Sequence, residues 1–198
     1  MITKAVLIRF EAKSATETEA RHFLRLMVTN EKSASFLVWF DYRTYGVFAA
    51  FSNEDARTFF ISGKAMQQVA ENSEKYFESA PTILKMEILA NKIPIKMSNV
   101  DNKGLLLSFH AKEGNEAQVA QFLRNAESMV DEEPGTTAWF AFSSEDGVYG
   151  IFDVFPGNGE RVKHLLGQVP REMIKKGFKL IGSIPDVEFL KVLEETEY

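Results

Sequence analysis

The chain has 198 residues, 45% of them hydrophobic, and a net charge of −5, which is typical of one globular domain or two small ones. It has no cysteine, so disulfides and thiolate chemistry are excluded, and it shows no basic patch of the kind that nucleic-acid binders carry. Neither a signal peptide nor a run of ~20 apolar residues is recognisable. We therefore expect a cytoplasmic protein whose partners include neither nucleic acid nor a membrane.

The first half of the chain alternates between strand and helix patterns. Residues 4–12 alternate between apolar and polar side chains, which predicts a strand with one buried face. Ser14 and Glu17 have the spacing of a capping box and predict the start of a helix that ends near Asn30. Aromatic and β-branched residues then predict a hairpin over 36–51. The remaining predicted elements are a helix that begins at Asn53 and breaks at Ser62-Gly63, and a strand over 83–89.

The second half repeats this order. Several identical residues of the first strand and helix recur 99 positions later, among them Phe10 as Phe109 and Phe23 as Phe122. A second aromatic hairpin covers 136–155, and its Trp139-Phe140 step matches Trp39-Phe40. Apolar stripes on the first helix of each half predict that four side chains are buried against a sheet: Phe23, Leu24, Phe122 and Leu123.

These patterns predict an α+β fold of two tandem ferredoxin-like βαββαβ units with antiparallel sheets. We expect a first repeat over 1–90, a linker over 91–102 and a second repeat over 103–198. Each sheet has one face that helices do not cover, so the two sheets are expected to pack face to face. The chain would then be a pseudo-dimer by itself, and a homodimer of such chains is a second state that the sequence allows.

The motifs of the second half resemble the antibiotic-biosynthesis monooxygenase domain family, whose members form dimeric α/β barrels. The resemblance extends over the whole chain as two tandem copies. It rests mainly on segments 109–114, 133–140 and 150–153 and on the Lys163-His164-Leu165 step. Members include oxygenases that act on phenols and quinols without a cofactor, heme-degrading proteins and isomerases. Phe155 and Ser108 or His110 occupy regions where heme-degrading members carry Trp and Asn, which argues against heme degradation.

The resemblance implies a cofactor-independent monooxygenase of small aromatic, phenol- or quinol-like compounds. The alternative is a non-catalytic protein that binds a small hydrophobic ligand or serves as a structural α/β-barrel module. The two functions would differ in whether His164 and Asp153 line one concave apolar pocket.

His164 and Asp153 are the candidate catalytic residues. His164 lies in the helix after the hairpin, where family members often carry a His that faces the cavity, and the first repeat has Phe60 there. It could act as a base, and the alternative is a partly exposed helical His. Asp153 lies between apolar strand residues, where a carboxylate needs a partner, and the first repeat has Ser52. It could orient His164, and the alternative is a strand-end residue bound to solvent or backbone.

Four other residues are candidates for substrate binding. Trp139, Tyr149 and Phe155 would form or flank the wall of an aromatic pocket, although packing alone accounts for Trp139. His110 corresponds to Glu11 of the first repeat, and a surface or structural role is the simpler interpretation. The glycines of 157–159 follow a strand, but Val162 replaces the third glycine of a dinucleotide loop, so no nucleotide cofactor is expected. No metal is expected either, because the three His are scattered.

Overall fold

The computed structural model of the protein describes residues 1–29, 34–93, 102–175 and 177–196. Their strands are β1 (Lys4–Glu11), β2 (Ala34–Trp39), β3 (Thr44–Phe51), β4 (Thr82–Lys92), β5 (Lys103–His110), β6 (Ala138–Ser144), β7 (Val148–Phe155) and β8 (Asp186–Glu195). Their helices are α1 (Glu17–Thr29), α2 (Glu54–Ser62), α3 (Lys64–Tyr76), α4 (Glu116–Asn125), α5 (Glu127–Asp131), α6 (Asn158–Leu165) and α7 (Gln168–Lys175).

The strands have the connectivity that the α+β prediction requires. They are hydrogen-bonded in the closed order β1-β3-β2-β8-β5-β7-β6-β4, which is the strand order of a dimeric α/β barrel. Both hairpins, β2–β3 and β6–β7, are antiparallel, and so are the β1–β3 and β5–β7 pairs. The predicted fold class is therefore confirmed.

The chain divides into two compact units. Unit 1 contains Met1–Met86 and the chain from Lys191 onward, and unit 2 contains Glu87–Leu190. β4 continues to Lys92, so the first two residues of the predicted linker are strand, and most of that linker (94–101) lies outside the described residues. The predicted boundaries at 90 and 103 remain a prediction.

In unit 1, the apolar faces of β1 and β3 pack against α1, α2 and α3. Leu24 of α1 is fully buried in this core, whereas Phe23 is only partly buried and stacks on Tyr76. Asn53 caps α2 as predicted, because its side chain accepts a hydrogen bond from the backbone N–H of Ala56.

The predicted capping box at the start of α1 is wrong. A 3₁₀ turn over Ser14–Thr16 precedes α1, and the residue before that turn makes no capping hydrogen bond with its side chain. The Glu17 carboxylate instead accepts a hydrogen bond of 2.6 Å from the hydroxyl of Tyr45. The Glu17 carboxylate, which the local spacing had predicted to cap the helix, therefore bonds to Tyr45 on β3 instead.

In unit 2, β5, β6 and β7 form the corresponding core with α4, α5 and α7. Leu123 of α4 is fully buried, and Phe122 is partly buried, as Phe23 is in unit 1. Two of the four predicted core residues of the first helices are thus fully buried. The two Phe residues lie at the edges of their cores because each occupies a position that turns away from the centre of its helix–sheet contact.

Strand register corrects how the two halves were matched. β1 pairs with β3 from Lys4↔Phe51 onward, and β5 pairs with β7 from Lys103↔Phe155 onward. The first strands are thus offset by 99 residues (103 − 4) and the hairpins by 104 (155 − 51). The five extra residues lie between α4 and β6, the stretch that contains α5.

The matched tryptophans are consequently not equivalent. Trp139 lies opposite Asp153 and is fully buried, and the residue with the same register in unit 1 is Ser35, opposite Ala49. Trp39 lies at the end of β2, is 37% exposed and donates its indole N–H to a turn carbonyl. The counterpart of Asp153 is therefore Ala49 and not Ser52.

Candidate functional site

His164 lies on the buried side of α6. Its ring is only 6% exposed and lies 5.2 Å, centroid to centroid, from the ring of Phe155 at the end of β7. The alternative of a partly exposed helical His is therefore wrong. A buried imidazole needs partners for both ring nitrogens, since an unpaired polar atom in a core costs free energy.

The Nδ1 atom of His164 is held by the loop between α5 and β6. It lies 2.6 Å from Oε2 of Glu133, which also accepts a hydrogen bond of 3.0 Å from the Thr136 hydroxyl. Because a carboxylate only accepts hydrogen bonds, the geometry assigns the Nδ1 proton to the imidazole. Glu133 therefore orients the His164 ring, the function that the sequence had given to Asp153.

Asp153 lies on the other side of the ring. Its Oδ2 is 3.8 Å from Nε2 of His164, which is longer than a hydrogen bond. The residue is 1% exposed, because strand alternation turns it from β7 toward the helices, and it lies opposite Leu105 of β5. The prediction that His164 and Asp153 lie side by side agrees with this geometry, but they leave a gap rather than bond to each other.

Burial and charge shift all three titratable groups. Burial raises the pKa of Asp153 to about 7, although the charge of His164 opposes the shift. Burial also disfavours the charged imidazole, but the charge of Asp153 and the hydrogen bond and charge of Glu133 outweigh it and raise the pKa of His164. For Glu133, burial is likewise outweighed by its bond to His164, which lowers the pKa of the carboxyl. The site thus contains an ion pair beside a carboxyl that titrates near neutrality.

An apolar cavity of about 210 Å³ lies between the sheet and the helices of unit 2. Asp153 and His164 are the only ionisable side chains in its lining, which belongs wholly to described residues. The apolar lining comes from strands, helices and the segment before β8: Leu105, Leu107, Ile151, Leu165, Val169, Pro170, Met173, Ile174, Pro185 and Val187. An apolar pocket with a few convergent polar groups is the usual form of a small-molecule site.

A second, more open cleft of about 520 Å³ lies against the opposite side of His164. Its lining includes Glu133 and Thr136, together with Glu132, Glu160 and Lys163. His164 lines both spaces and so forms part of the wall between an apolar cavity and a polar cleft.

Two buried polar atoms near the cavity have no hydrogen-bond partner within the described part of the chain. They are Oδ1 of Asp153 and Nε1 of Trp139. The two residues are direct partners across the β6–β7 pair, so both side chains lie on the helix-facing side of the sheet. Of these two residues only Asp153 lines the cavity, whereas the Trp139 side chain is fully buried behind it and is not part of the lining.

The other predicted binding residues lie at different distances from this cavity. Phe155 contacts the His164 ring without lining the cavity. Tyr149 lies four positions before Asp153 on β7, roughly 13 Å along the strand, and stacks on Phe109. His110 is exposed at the end of β5, where its Nδ1 lies 3.2 Å from the Gly147 carbonyl oxygen. Neither Tyr149 nor His110 joins the His164 cluster.

Unit 1 has a different environment at the corresponding positions. By strand register, the position of Asp153 in unit 2 corresponds to that of Ala49 in unit 1. The same offset of 104 residues makes His164 correspond to Phe60 (164 − 60), and this second match is the one that the sequence predicted. Phe60 packs on Phe51 with ring centroids 5.3 Å apart, as His164 packs on Phe155. Apolar core thus replaces the polar pair in unit 1.

Glu133 and Thr136 were missed as site residues by sequence reasoning. Both lie in the Glu133-Pro134-Gly135-Thr136 segment, which carried part of the family resemblance. The signal that could have found them is chemical: a buried His needs a partner for Nδ1, and an acidic residue before the hairpin can supply it.

Comparison with solved structures finds proteins of similar fold. A candidate monooxygenase from Fusobacterium nucleatum aligns with 99% of this chain and 94% of its own at 14% identity and a TM-score of 0.86. A ferredoxin-fold protein from Listeria monocytogenes, related to antibiotic biosynthesis monooxygenases, aligns with 98% and 96% at 12% identity and a TM-score of 0.60. An anthrone oxidase-like protein aligns with 98% and 92% at 9% identity and a TM-score of 0.68.

At these identities the likeness shows the fold alone. No family model matches the chain, and no curated protein matches it. Among the described residues, no helix is long and apolar enough to cross a membrane, and no three acidic, His or Cys side chains are grouped as metal ligands.

Proposed function

We propose that the protein is a cofactor-independent monooxygenase of small aromatic compounds with a phenol- or quinol-like hydroxyl, and a member of the antibiotic-biosynthesis monooxygenase family. The observation that carries this proposal is the apolar cavity in which Asp153 and His164 converge. The monooxygenase-like fold of its structural neighbours supports the reaction class, and the anthrone oxidase-like neighbour supports an aromatic substrate.

Such a reaction needs a substrate that supplies its own electrons. Removal of the hydroxyl proton gives a phenolate, which passes one electron to O₂, and the two radicals combine through a new C–O bond on the ring. The resulting hydroperoxide loses its ring C–H proton while the O–O bond breaks, which leaves a quinone and one water. The substrate is oxidised by four electrons and O₂ is reduced by four, so phenol and O₂ balance quinone and water.

The geometry favours Asp153 as the base. Glu133 already occupies Nδ1 of His164, whereas Asp153 has an unpaired Oδ1 and a pKa raised to about 7 by burial, which suits proton removal near neutral pH. In this assignment Asp153 takes the hydroxyl proton and returns it to the peroxide anion that forms when the two radicals combine, which gives the hydroperoxide. The departing hydroxide then takes the ring C–H proton and becomes water. The sequence-based roles, His164 as base and Asp153 as its orienting group, are thereby revised.

His164 then stabilises the negative charge that forms on the substrate. Its Nε2 lies on the Asp153 side of the ring, and a charged donor in an apolar space interacts more strongly with an anion than it would in water.

Oxygen uptake with a defined panel tests the proposal. With 1-naphthol, 1,4-naphthoquinol and dithranol, wild type should consume O₂ faster than the uncatalysed oxidation of at least one compound. With ¹⁸O₂, one labelled atom should enter the product and the other should enter water. Asp153→Asn should lower kcat by about 10²- to 10⁴-fold, the usual contribution of a general base. Release of H₂O₂ without incorporation of oxygen would contradict the monooxygenase assignment.

The second candidate function is a non-catalytic binder of the same compounds. The cavity and its two ionisable side chains, Asp153 and His164, also suit binding without turnover. Saturable binding of 1-naphthol by a protein that consumes no O₂ with any compound of the panel would favour this alternative.

We further infer that the chain arose as two copies of one unit, which makes it a pseudo-dimer. The shared register of the β1–β3 and β5–β7 pairs supports this inference. Two arginines that are offset by 104 residues (161 − 57) also support it. Arg57 donates to the carbonyls of Ala5 and Met86, and Arg161 donates to those of Gly104 and Leu190.

A further inference from the structure

We propose that Glu133 is a positioning residue that holds His164 as an imidazolium, and that the cavity therefore takes its ligand as an oxyanion, which selects aromatic compounds with an acidic hydroxyl. The inference rests on the proposed function only in placing the ligand in the Asp153–His164 cavity. It narrows the substrate class from phenol- and quinol-like compounds in general to those whose hydroxyl is acidic enough to ionise when they bind.

The first step is the geometry of the Glu133–His164 pair. The 2.6 Å contact joins Nδ1 to a carboxylate oxygen that also accepts the hydroxyl of Thr136, itself 1% exposed. A hydrogen bond between two charged groups is short and strong, and its direction fixes the ring. With Nδ1 facing Glu133, Nε2 is left on the side of Asp153 and the cavity.

The second step is the rigidity of the loop that carries Glu133. Lys92 at the end of β4 donates to the carbonyls of Val130 and Glu133, at 3.0 and 2.8 Å. The backbone N–H of Glu133 bonds to the Val130 carbonyl, and that of Thr136 bonds to the Glu133 carbonyl. These bonds fix the loop on both sides of Glu133, so the Glu133 carboxylate is preorganised to bond to His164.

Close packing against the end of α6 adds to this placement. At Gly167, a Cβ atom would lie 2.9 Å from Oε1 of Glu133, so only glycine leaves the carboxylate its observed place. The loop and the helix terminus are thus shaped around the Glu133 side chain.

The third step is the charge that surrounds the pair. Asp153 faces His164 from β7, and Lys92 acts on Glu133 from β4. Glu132 lines the cleft beside the pair from the same loop, and Glu160 and Lys163 line it from α6. Two carboxyls against one imidazole favour its protonated form, and this agrees with the raised pKa of His164.

The fourth step concerns the ligand. A neutral aromatic compound would offer no charged partner to the His164 imidazolium or the Asp153 carboxylate, the two ionisable groups in the lining of an apolar cavity. A hydroxyl that gives its proton to Asp153 turns that carboxylate into a neutral acid and becomes an oxyanion beside His164. The O–H bond of the ligand breaks and an O–H bond on Asp153 forms, so the net charge of the site is unchanged. Acidic hydroxyls make this transfer most easily.

The test pairs two ligands of similar shape, 4-nitrophenol and nitrobenzene, with two variants. 4-Nitrophenol reports its own ionisation through its visible absorbance, and its nitro group makes it a poor substrate for oxidation. Glu133→Gln keeps an acceptor for Nδ1 but removes the charge. Glu132→Gln removes a charge from the same loop without touching His164 and is the matched control. Melting temperatures establish that each variant is folded.

We expect wild type and Glu132→Gln to bind 4-nitrophenol as its phenolate at least about tenfold more tightly than nitrobenzene. In Glu133→Gln that preference should fall about tenfold or more, which corresponds to a shift of one pKa unit in His164. An NMR titration measures that shift without any ligand, and the signals of His22 and His110 serve as internal references. The midpoint of the His164 titration should fall by at least one unit in Glu133→Gln and stay in place in Glu132→Gln.

Each outcome decides one part of the proposal. An unchanged His164 titration in Glu133→Gln would overturn the positioning role. Equal affinity for 4-nitrophenol and nitrobenzene, or binding of neither, would overturn the oxyanion site. Phenolate binding without O₂ uptake for any member of the panel would support this inference and count against the monooxygenase proposal alone.

Discussion

At the scale of single residues, the His164 side chain shows how burial changes an expectation about stability. A partly exposed helical His that served chemistry alone could be replaced by Ala with the melting temperature nearly unchanged. The ring is instead enclosed, bonded to Glu133 and packed on Phe155. A residue with these contacts contributes to the folded state as well as to chemistry.

We therefore expect His164→Ala to abolish ligand binding and also to lower the free energy of unfolding. The cost should be about 1–3 kcal/mol, because Glu133 and Asp153 lose their shared partner in a mostly buried site. Urea melts at pH 7 measure it, and Lys163→Ala on the same helix, where the side chain is exposed, is the control. A loss of unfolding free energy no larger than that of Lys163→Ala would show that the His164 ring contributes little to the stability of the folded state.

The second residue-scale prediction concerns Asp153 and pH. Its pKa is raised in the folded protein from 3.8 to about 7, so the folded state binds this proton more tightly than the unfolded chain does. The resulting stabilisation is fully present below pH 4 and is lost as the pH rises through about 7. His164, whose pKa is also raised, loses its contribution in the same direction.

Asp153→Asn does not titrate, so wild type should lose stability relative to this variant as the pH rises from 4 to 7. The relative loss is at most about 1.4 kcal/mol per pH unit, and it should level off above pH 7. Denaturant melts of both proteins across that range give the curve. Parallel pH profiles would show that Asp153 is ionised throughout and that the cavity is wetter than its lining suggests.

At the scale of secondary-structure elements, α1 and α4 occupy equivalent places against their sheets. Their apolar stripes were readable from sequence, but the side chain at the centre of each stripe was not. Leu24 and Leu123 are fully buried in their cores, whereas the Phe residue that precedes each of them is partly accessible to solvent. Truncation of the Leu residues should therefore cost more free energy than truncation of the Phe residues.

Leu24→Ala and Leu123→Ala should each lower the free energy of unfolding by about 2–5 kcal/mol, since each leaves a cavity in a packed core. Phe23→Ala should cost less than a fully buried Phe would, because part of its ring already contacts water. Equilibrium urea unfolding of the three variants ranks them. A larger loss for Phe23→Ala than for Leu24→Ala would place the centre of the stripe one position earlier.

At the scale of the whole molecule, the two units share a frame and differ in polar residues. The frame includes the strand registers and the paired Arg57 and Arg161, and packing accounts for both. Packing gives no reason for Asp153 and His164 to replace Ala49 and Phe60 together. We therefore propose that any activity resides in the second repeat.

Two substitutions at equivalent places test this asymmetry. His164→Phe gives unit 2 the residue of unit 1, and we expect it to abolish 4-nitrophenol binding. Phe60→Leu alters the same place in unit 1 and should leave the affinity unchanged, although it costs some stability. Isothermal titration should give about one site per chain. Two sites per chain, or loss of binding in Phe60→Leu, would refute the divergence.

The sequence by itself determined what depends on local pattern. Strand alternation, the apolar stripes and the aromatic hairpins gave the α+β class and the order of elements, because burial of one face imposes a period of 2 or 3.6. The 99-residue spacing predicted the likeness of the halves. The family resemblance picked out His164, and the cost of a carboxylate between apolar strand residues picked out Asp153.

Only the tertiary structure decided what depends on register and on contacts distant in sequence. Five residues between α4 and β6 shift the hairpin match, so Trp39 and Trp139 share a motif but not a place. Glu133 and His164 are 31 residues apart, and no local rule joins them. Asp153 and Trp139 each have a buried polar atom without a hydrogen-bond partner in the described part of the chain. The fold determines which groups surround these atoms, so the missing partners could not be recognised from the sequence.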